Sequence, residues 1–321
     1  MCLTGSGTGL EPRAANLDSS VMSRRSWGTL LIVAAIWGSS YLFIKVALED
    51  LSVGWVVCGR CALGALVLVP LAAHRGQLGA LRGRWGAVVT LALVQVAVPF
   101  VLIAAGEREI ASGLTGILVA SVPLFTALLA LRLDRTQVTR GWGLVGLLAG
   151  MAGIVLLFGL DLQSDSAAVI GGLMVVLASL GYAIGGFFLR AKLADVPAAA
   201  TASGTMLVSA AVTLPLALAT MPDHTPGLDT VASMIVLGMG GTGVAFVLFY
   251  ALIADVGMAT TSLVTYIAPV FAVMYGALLL DEPITAGAVG GMILIVAGSY
   301  LAASSRSGPS RSTEPAPGPA R

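Results

Sequence analysis

The hydrophobic positions of this chain neither alternate nor keep to one helical stripe; they run unbroken, stop at short polar interruptions and resume. Membrane-spanning strands read as alternating segments, whereas unbroken runs of about 20 residues predict helices that cross a hydrocarbon core of about 30 Å. Ten such runs stand out. The first half holds 27–48, 52–72, 85–106, 110–131 and 141–160, and the second holds 167–190, 199–219, 229–253, 258–280 and 287–303. The expected fold is all-α and integral to the membrane.

Composition agrees with the pattern. Of 321 residues, 57% are hydrophobic and 10% charged, against about 25% charged in an ordinary soluble domain. Residues 1–26 carry no periodic pattern and are expected to form a disordered cytoplasmic segment, with Met22, ahead of "SRRSWG", as an alternative start. The Arg24–Arg25 pair before an apolar run has the look of a secretion signal, but the run is span length and lacks a small-residue cleavage site. From 304 to 321 the tail is rich in Ser, Pro and Gly, a composition that cannot bury enough apolar surface to fold.

Charge sets the orientation. With the N-terminus in the cytoplasm, the inner segments hold most of the 17 basic residues, among them Arg24, Arg25, Arg75, Arg82, Arg84, Arg132, Arg135, Arg140, Arg190 and Lys192. The outer loops hold Glu49, Asp50, Glu107, Glu109, Asp161, Asp165, Asp223, Asp229, Asp281 and Glu282. The excess of arginine on one side predicts that both termini are cytoplasmic.

The two halves are also copies. One constant offset puts Phe100 on Phe246, Thr115 on Thr261, Pro123 on Pro269 and Phe125 on Phe271; an offset one residue shorter puts Trp37 on Tyr182, Lys45 on Arg190 and Gly146 on Gly291. Near-equal offsets sustained across whole halves are the mark of a repeat. Each half has an odd number of spans, so the second copy enters the membrane upside down. The charge reversal between the basic "RLDRTQVTR" after the fourth run and the acidic "LLDEPIT" after the ninth follows from that. The reading is two inverted five-helix repeats, 27–160 and 167–303, an arrangement whose axis site can open to either side of the membrane in turn.

Four stretches carry a family likeness: "AAIWGSSYLFIKVAL", "CGRCALGALVL", "REIASGLTGILVASVPLFTALLAL" and "GMATTSLVTYIAPVFAVMYGALLLDEPITAGAVGGMILIVAGSYL". Together they resemble the EamA-type branch of the drug/metabolite transporter superfamily. The resemblance covers about residues 27 to 303 and implies ten helices in two repeats and the movement of small metabolites, usually outward. One departure is visible: the acidic residue that relatives carry after the fourth span is replaced by "RLDRT", while the second copy keeps Asp281, Glu282 and Pro283.

Ionisable groups in lipid are costly and mark a route when they turn inward. Arg60 lies about 12 Å from the outer end of its run at about 1.5 Å per residue, so it is either a substrate-binding cation or a structural one paired with a helix-end carboxylate such as Glu107. Lys45, one turn from the outer end of its run, is expected to snorkel. The other pathway candidates are Trp37, Ser40, Tyr41, Gln95, Thr115, Tyr182, Tyr250, Thr265 and Tyr266, each with interhelical bonding or packing as its bland alternative. Pro123 and Pro269, as repeat mates, are hinge candidates.

Other chemistry is thin. Cys58 and Cys61 form "CGRC" inside a hydrophobic run, where small packing residues are the better reading than a thiol redox pair. Both histidines, His74 and His224, fall between runs, no acidic residue lies near a run's centre, and G-x-S-x-G is absent, so catalysis is poorly supported. The glycine runs at 180–186 and 238–243 lack the strand and helix of a nucleotide loop. No cofactor and no metal are expected. The expected function is secondary transport of an amino acid or a related small anionic or zwitterionic compound across the inner membrane by alternating access, as an exporter; a lipid flippase or scramblase, or an exporter of drug-like compounds, is the rival. Expected partners are the small-molecule substrate and the lipid bilayer, with no nucleic acid; the oligomeric state is not legible.

Overall fold

A computed structural model of the chain describes residues 22–133, 141–162 and 165–304. Of the expected disordered ends, 1–21 and 305–321 lie outside the described residues, as does the part of the basic loop that carries Arg135, Thr139 and Arg140; Arg24–Ser26 and Ser304, expected to be disordered, are helical, in the first turn of α1 and the last of α10. The helices are α1 Arg24–Asp50, α2 Val53–His74, α3 Trp85–Glu109, α4 Ser112–Arg132, α5 Trp142–Leu162, α6 Ser166–Lys192, α7 Ala198–Ala219, α8 Leu228–Met258, α9 Val264–Leu279 and α10 Ala286–Ser304. Among the described residues, nine of these are long and apolar enough to cross a membrane, and α9 is a shorter apolar helix. The sequence predicted ten of span length. Gly257, at φ 78°, breaks the helical path near the end of α8, and the turn at 262–263 delays the start of α9.

Local chemistry fixes the ends. Ser23 and Ser52 accept from the backbone N–H groups of Ser26 and Trp55, Asp165 accepts from Ala167, and the Thr285 hydroxyl accepts from Ala288, so each of these helices starts with one orphan donor satisfied. Trp27, Trp85 and Trp142 open α1, α3 and α5, and all three are exposed. Amphipathic rings at like ends of alternate helices suit a membrane-water boundary. Leu66, Leu148, Val155 and Ile293 point outward along the helix walls, where lipid can replace the neighbours they lack.

The main helix pairs are α5 with α10, α2 with α7, α3 with α6, and α1 with α9. Small residues bring them close. A Cβ on Gly146 would sit 2.8 Å from the carbonyl oxygen of Gly298, and one on Gly153 would sit 3.0 Å from that of Gly291. A hydrophobic driving force is weak between helices in lipid, so this backbone approach is what gives the α5–α10 pair its contact.

Three helices loosen into π turns, at Ala92–Ala97 in α3, Phe158–Leu162 in α5 and Val236–Val244 in α8. The α3 and α8 turns fall at repeat-related positions. Each faces a neighbour through a glycine: the Gln95 side chain lies over Gly185 of α6, and Thr242 lies over Gly64 of α2. π turns inside helices concentrate at functional positions, and these two border the interior between the halves.

The two prolines do different things. Pro123 follows a break in α4, where the helix ends at Val119 and restarts at Val122. A proline cannot donate to the carbonyl four residues back, and the break removes that conflict. Pro269 sits inside the continuous helix α9.

Candidate functional site

Arg60 projects from α2 between α3 and α8. Its Nε donates to the Thr242 hydroxyl at 3.0 Å, and its guanidinium carbon lies 4.0 Å from the centroid of the Phe100 ring. The π turn makes the first contact possible. Thr242 gives its own hydroxyl proton to the carbonyl of Leu237, five residues back, at 3.2 Å, which leaves a lone pair free to receive Arg60. The remaining guanidinium N–H groups have no protein partner among the described residues, and the side chain keeps part of its surface accessible.

Tyr41 of α1, Tyr182 of α6 and Glu107 of α3 stand within electrostatic reach of Arg60. Tyr41 presses its ring edge toward Gly116 of α4 at 3.3 Å from where a Cβ would be. Both tyrosines are partly accessible, as is Gln95. A second wall comes from α1 and α8, where Trp37 packs on Phe249 at 4.8 Å and edge-on to Phe246 at 6.0 Å, and Tyr250 lies 5.7 Å from Phe246. Tyr41, Tyr182 and Tyr250 therefore border one hydrophobic cluster with Phe100, on which Arg60 lies, while Trp37 packs against a second cluster and meets the first through Phe246.

Others are placed elsewhere. Ser40 is buried and donates to the carbonyl of Ile36 at 3.2 Å, and Thr115 is buried and donates to that of Ala111 at 3.1 Å. Both spend their hydroxyl protons on their own helices. Thr265 donates to Ser262 at the start of α9. Tyr266 reaches the carbonyl of Ser299 at 3.4 Å and borders an apolar outer groove with Val270, Ile293 and Tyr300. The reason is helical phase: Ala268, Ala272 and Gly276 are the buried, small face of α9, and Gly38 of α1 packs against Ala268 and Ala272, leaving Tyr266 and Val270 on another side.

The rival pairing of Arg60 with Glu107 is absent: no ion pair joins them. Glu107 is also not in a loop, because α3 continues to Glu109 and buries it completely. Both of its carboxylate oxygens lack a hydrogen-bond partner among the described residues. Lys45 does not snorkel; its Nζ donates to the backbone carbonyls of Glu107 at 2.6 Å and Ile110 at 3.0 Å, a cation placed at a helix C-terminus. Cys58 and Cys61 are buried free thiols, and Cys58 rests 3.4 Å from the Ala210 carbonyl of α7. Thr242, Phe100 and the buried state of Glu107 were missed from sequence. The signal for Thr242 was a polar residue inside a run otherwise given over to glycine.

Comparison with known proteins decides the family. The EamA-like transporter family model matches residues 26–159 and again 169–304. The chain belongs to the EamA-like transporter family. The protein is similar to the uncharacterized transporter YoaV of Bacillus subtilis, at 23% identity over 85% of this chain and 94% of that one. It is similar to the uncharacterized inner membrane transporter YedA of Escherichia coli K12, at 26% identity over 86% and 92%. A probable amino-acid metabolite efflux pump of Salmonella typhimurium is 25% identical over 87% of this chain and 95% of its own. One solved crystal structure shares the fold, with a TM-score of 0.64 at 19% identity, covering 87% of this chain and 98% of that one. Family and helices together make this EamA-like chain a multi-pass membrane protein with a general transporter role.

Proposed function

We propose that this EamA-like protein is a secondary transporter that moves a small carboxylate-bearing metabolite, an amino acid or a related anionic or zwitterionic compound, across the inner membrane by alternating access, and exports it. The observation that carries the reading is Arg60: held by Thr242 through Nε and by Phe100 beneath, it leaves its remaining N–H groups free of protein partners among the described residues. A guanidinium fork so held matches a carboxylate with two parallel hydrogen bonds. The name of the Salmonella relative supports an amino-acid substrate.

Alternating access asks for two halves related by an axis in the membrane plane, with both termini cytoplasmic. The glycine contacts support that relation. Gly146 approaches Gly298 and Gly153 approaches Gly291; at the shorter repeat offset, Gly146 maps to Gly291 and Gly153 to Gly298. The contact thus maps onto itself when the halves are exchanged, as an isologous contact must. Purified protein in proteoliposomes, offered labelled L-amino acids, labelled organic acids and a fluorescent lipid analogue, tests the reading. Movement of an amino or organic acid supports it, and movement of the lipid alone overturns it.

A further inference from the structure

Two groups of helices are each tied within themselves. α1 is joined to α8 at both ends: the Ser26 hydroxyl donates to Asp255, and Asp50 accepts from the Gly227 N–H at 2.8 Å and the Thr230 hydroxyl at 2.7 Å. α3 is joined to α6 by a close backbone approach, in which a Cβ on Gly171 would sit 2.8 Å from the carbonyl oxygen of Gly106, and by Arg84, which donates to the Lys192 carbonyl at 3.1 Å. α9 packs on α1, and α4 packs on α6.

Between the groups, polar contacts gather at one end of the bundle, the outer one in the orientation proposed above. Lys45 of α1 reaches the carbonyls of Glu107 and Ile110 where α3 finishes. Glu282, just past α9, accepts from Ser112 and Gly113 where α4 begins. The main helix pairings between the groups fall on Val98–Glu109 of α3 and Ser112–Val119 of α4, the halves nearest this end. The other half of α4, Val122–Leu133, has α6 and α10 as its main partners.

The repeat offsets give the Lys45 contact a mate at the opposite end. Lys45 maps to Arg190, and the carbonyls of Glu107 and Ile110 map to those of Ile253 and Val256, in the last turn of α8 before Gly257 breaks the helical path at φ 78°. Carbonyls in a last turn lack donors within their own helix, and a cation there is favoured by the helix dipole as well. Arg190 is exposed and lies over the Phe187 ring at 4.6 Å, with no hydrogen bond among the described residues. Glu282 has no acidic mate, because Thr136 stands at its offset.

We propose that Lys45 and Arg190 are alternate latches of the transport cycle. With Lys45 on the end of α3 and Glu282 on the start of α4, the outer end is shut. In the opposite conformation both let go, and Arg190 takes the carbonyls of Ile253 and Val256, shutting the cytoplasmic end. Only the outer latch has a carboxylate beside its cation, so the substrate-free protein rests shut to the outside and receives its cargo from the cytoplasm, the order an exporter needs. The exchange rests on the alternating-access reading and is independent of what Arg60 binds.

Pulsed double electron–electron resonance on the purified full chain in lipid nanodiscs tests this without substrate. In a cysteine-free background, spin labels at Glu49→Cys and Arg108→Cys report the outer end, and labels at Ala191→Cys and Ala254→Cys report the cytoplasmic end; all four positions are exposed. Lys45→Gln should lengthen the outer distance and shorten the inner one, lowering the ratio of outer-shut to outer-open protein about ten-fold or more. Lys45→Arg should restore it. Glu282→Gln should act in the same direction as Lys45→Gln, which covers a Lys45→Gln protein that does not accumulate. Adding Arg190→Gln to either should return the population to outer-shut, since the competing latch is then gone. Outer distances unmoved in both Lys45→Gln and Glu282→Gln overturn the outer latch, whether or not amino acids are transported. An added Arg190→Gln that leaves the protein outer-open overturns the exchange. The full set of distance changes supports the latches even where amino-acid counterflow fails, a failure that falls on the Arg60 reading alone.

Discussion

Arg60 lies over the face of Phe100, its guanidinium carbon 4.0 Å from the ring centroid. A cation held over an aromatic face out of water gains about 2 kcal/mol. The ring fills one side of the guanidinium plane and Thr242 takes Nε, which leaves the far edge of the fork without a partner among the described residues. Phe246, at the matching offset from Phe100, has no arginine above it among the described residues and packs with Trp37 and Tyr250 instead. Arg60 with Phe100 thus makes a polar wall, and Trp37 with Phe246, Phe249 and Tyr250 an aromatic one.

Thr242→Val keeps the shape of the side chain and deletes the acceptor for Arg60 Nε. A hydrogen bond to a charged group contributes about 1.5–3 kcal/mol. Affinity for the carboxylate that gives the largest thermal shift in a ligand screen should fall about ten-fold or more, and the unliganded melting temperature should fall by a few degrees, since the bond is present without ligand. Titration calorimetry reads the first quantity and fluorescence-detected unfolding the second. Unchanged affinity would mean that Thr242 does not orient the arginine.

Gly298→Ala should lower stability, because its new methyl would meet the backbone nitrogen of Gly150 at 2.6 Å, and backbone cannot move aside as a side-chain tip can. Overpacking of this kind costs about 1–3 kcal/mol. Gly186→Ala is the control: it has open space around it and gains helix propensity, so its melting temperature should hold or rise. Equal effects in the two proteins would show that the α5–α10 seam is not packed as described.

Glu282 caps the N-terminal end of α4. Its carboxylate accepts from the Ser112 N–H at 2.7 Å, the Ser112 hydroxyl at 2.9 Å and the Gly113 N–H at 3.0 Å. Removing it leaves the buried start of α4 unsatisfied at the positive end of the helix. Glu282→Ala should cost about 2 kcal/mol of stability, and Glu282→Gln, which keeps an acceptor and loses the charge, should cost less. Thermal unfolding in one detergent compares them. No difference between Glu282→Ala and wild type would remove the cap from the account.

Orientation can be read by labelling. In a cysteine-free background, Asp165→Cys, at the cap of α6, should react with an impermeant maleimide added outside intact cells, and Gly79→Cys, in the short 3-10 turn after α2, should react only after lysis. Reaction of Gly79→Cys from outside would invert the topology.

The helices were legible because hydrophobic length is a strong signal, and nearly every run lies within or close to a helix. Ends were less so. Glu107 was assigned to a loop because the hydropathy falls at 107–109, yet a helix can continue through charged residues when neighbouring helices surround it. The π turns had no signature at all: Ala92–Ala97 and Val236–Val244 are apolar or small, and one extra residue per turn leaves hydropathy unchanged. Arg60 was found because a charge in an apolar run is conspicuous. Thr242, its partner, was not, since a lone threonine reads as ordinary packing. Thr265 and Tyr266 were named without helical phase, which the small face of α9 at Ala268, Ala272 and Gly276 supplies.

The account turns on Arg60 as the group that binds the substrate's carboxylate, and uptake into proteoliposomes loaded with an unlabelled L-amino acid mixture tests it most directly. Wild type should take up a labelled L-amino acid by counterflow. Arg60→Lys, a point charge without the fork, should slow this about ten-fold or more, and Arg60→Ala should abolish it, with both proteins reconstituted at wild-type levels and eluting as single species. Counterflow at the wild-type rate by well-folded Arg60→Ala would contradict the account.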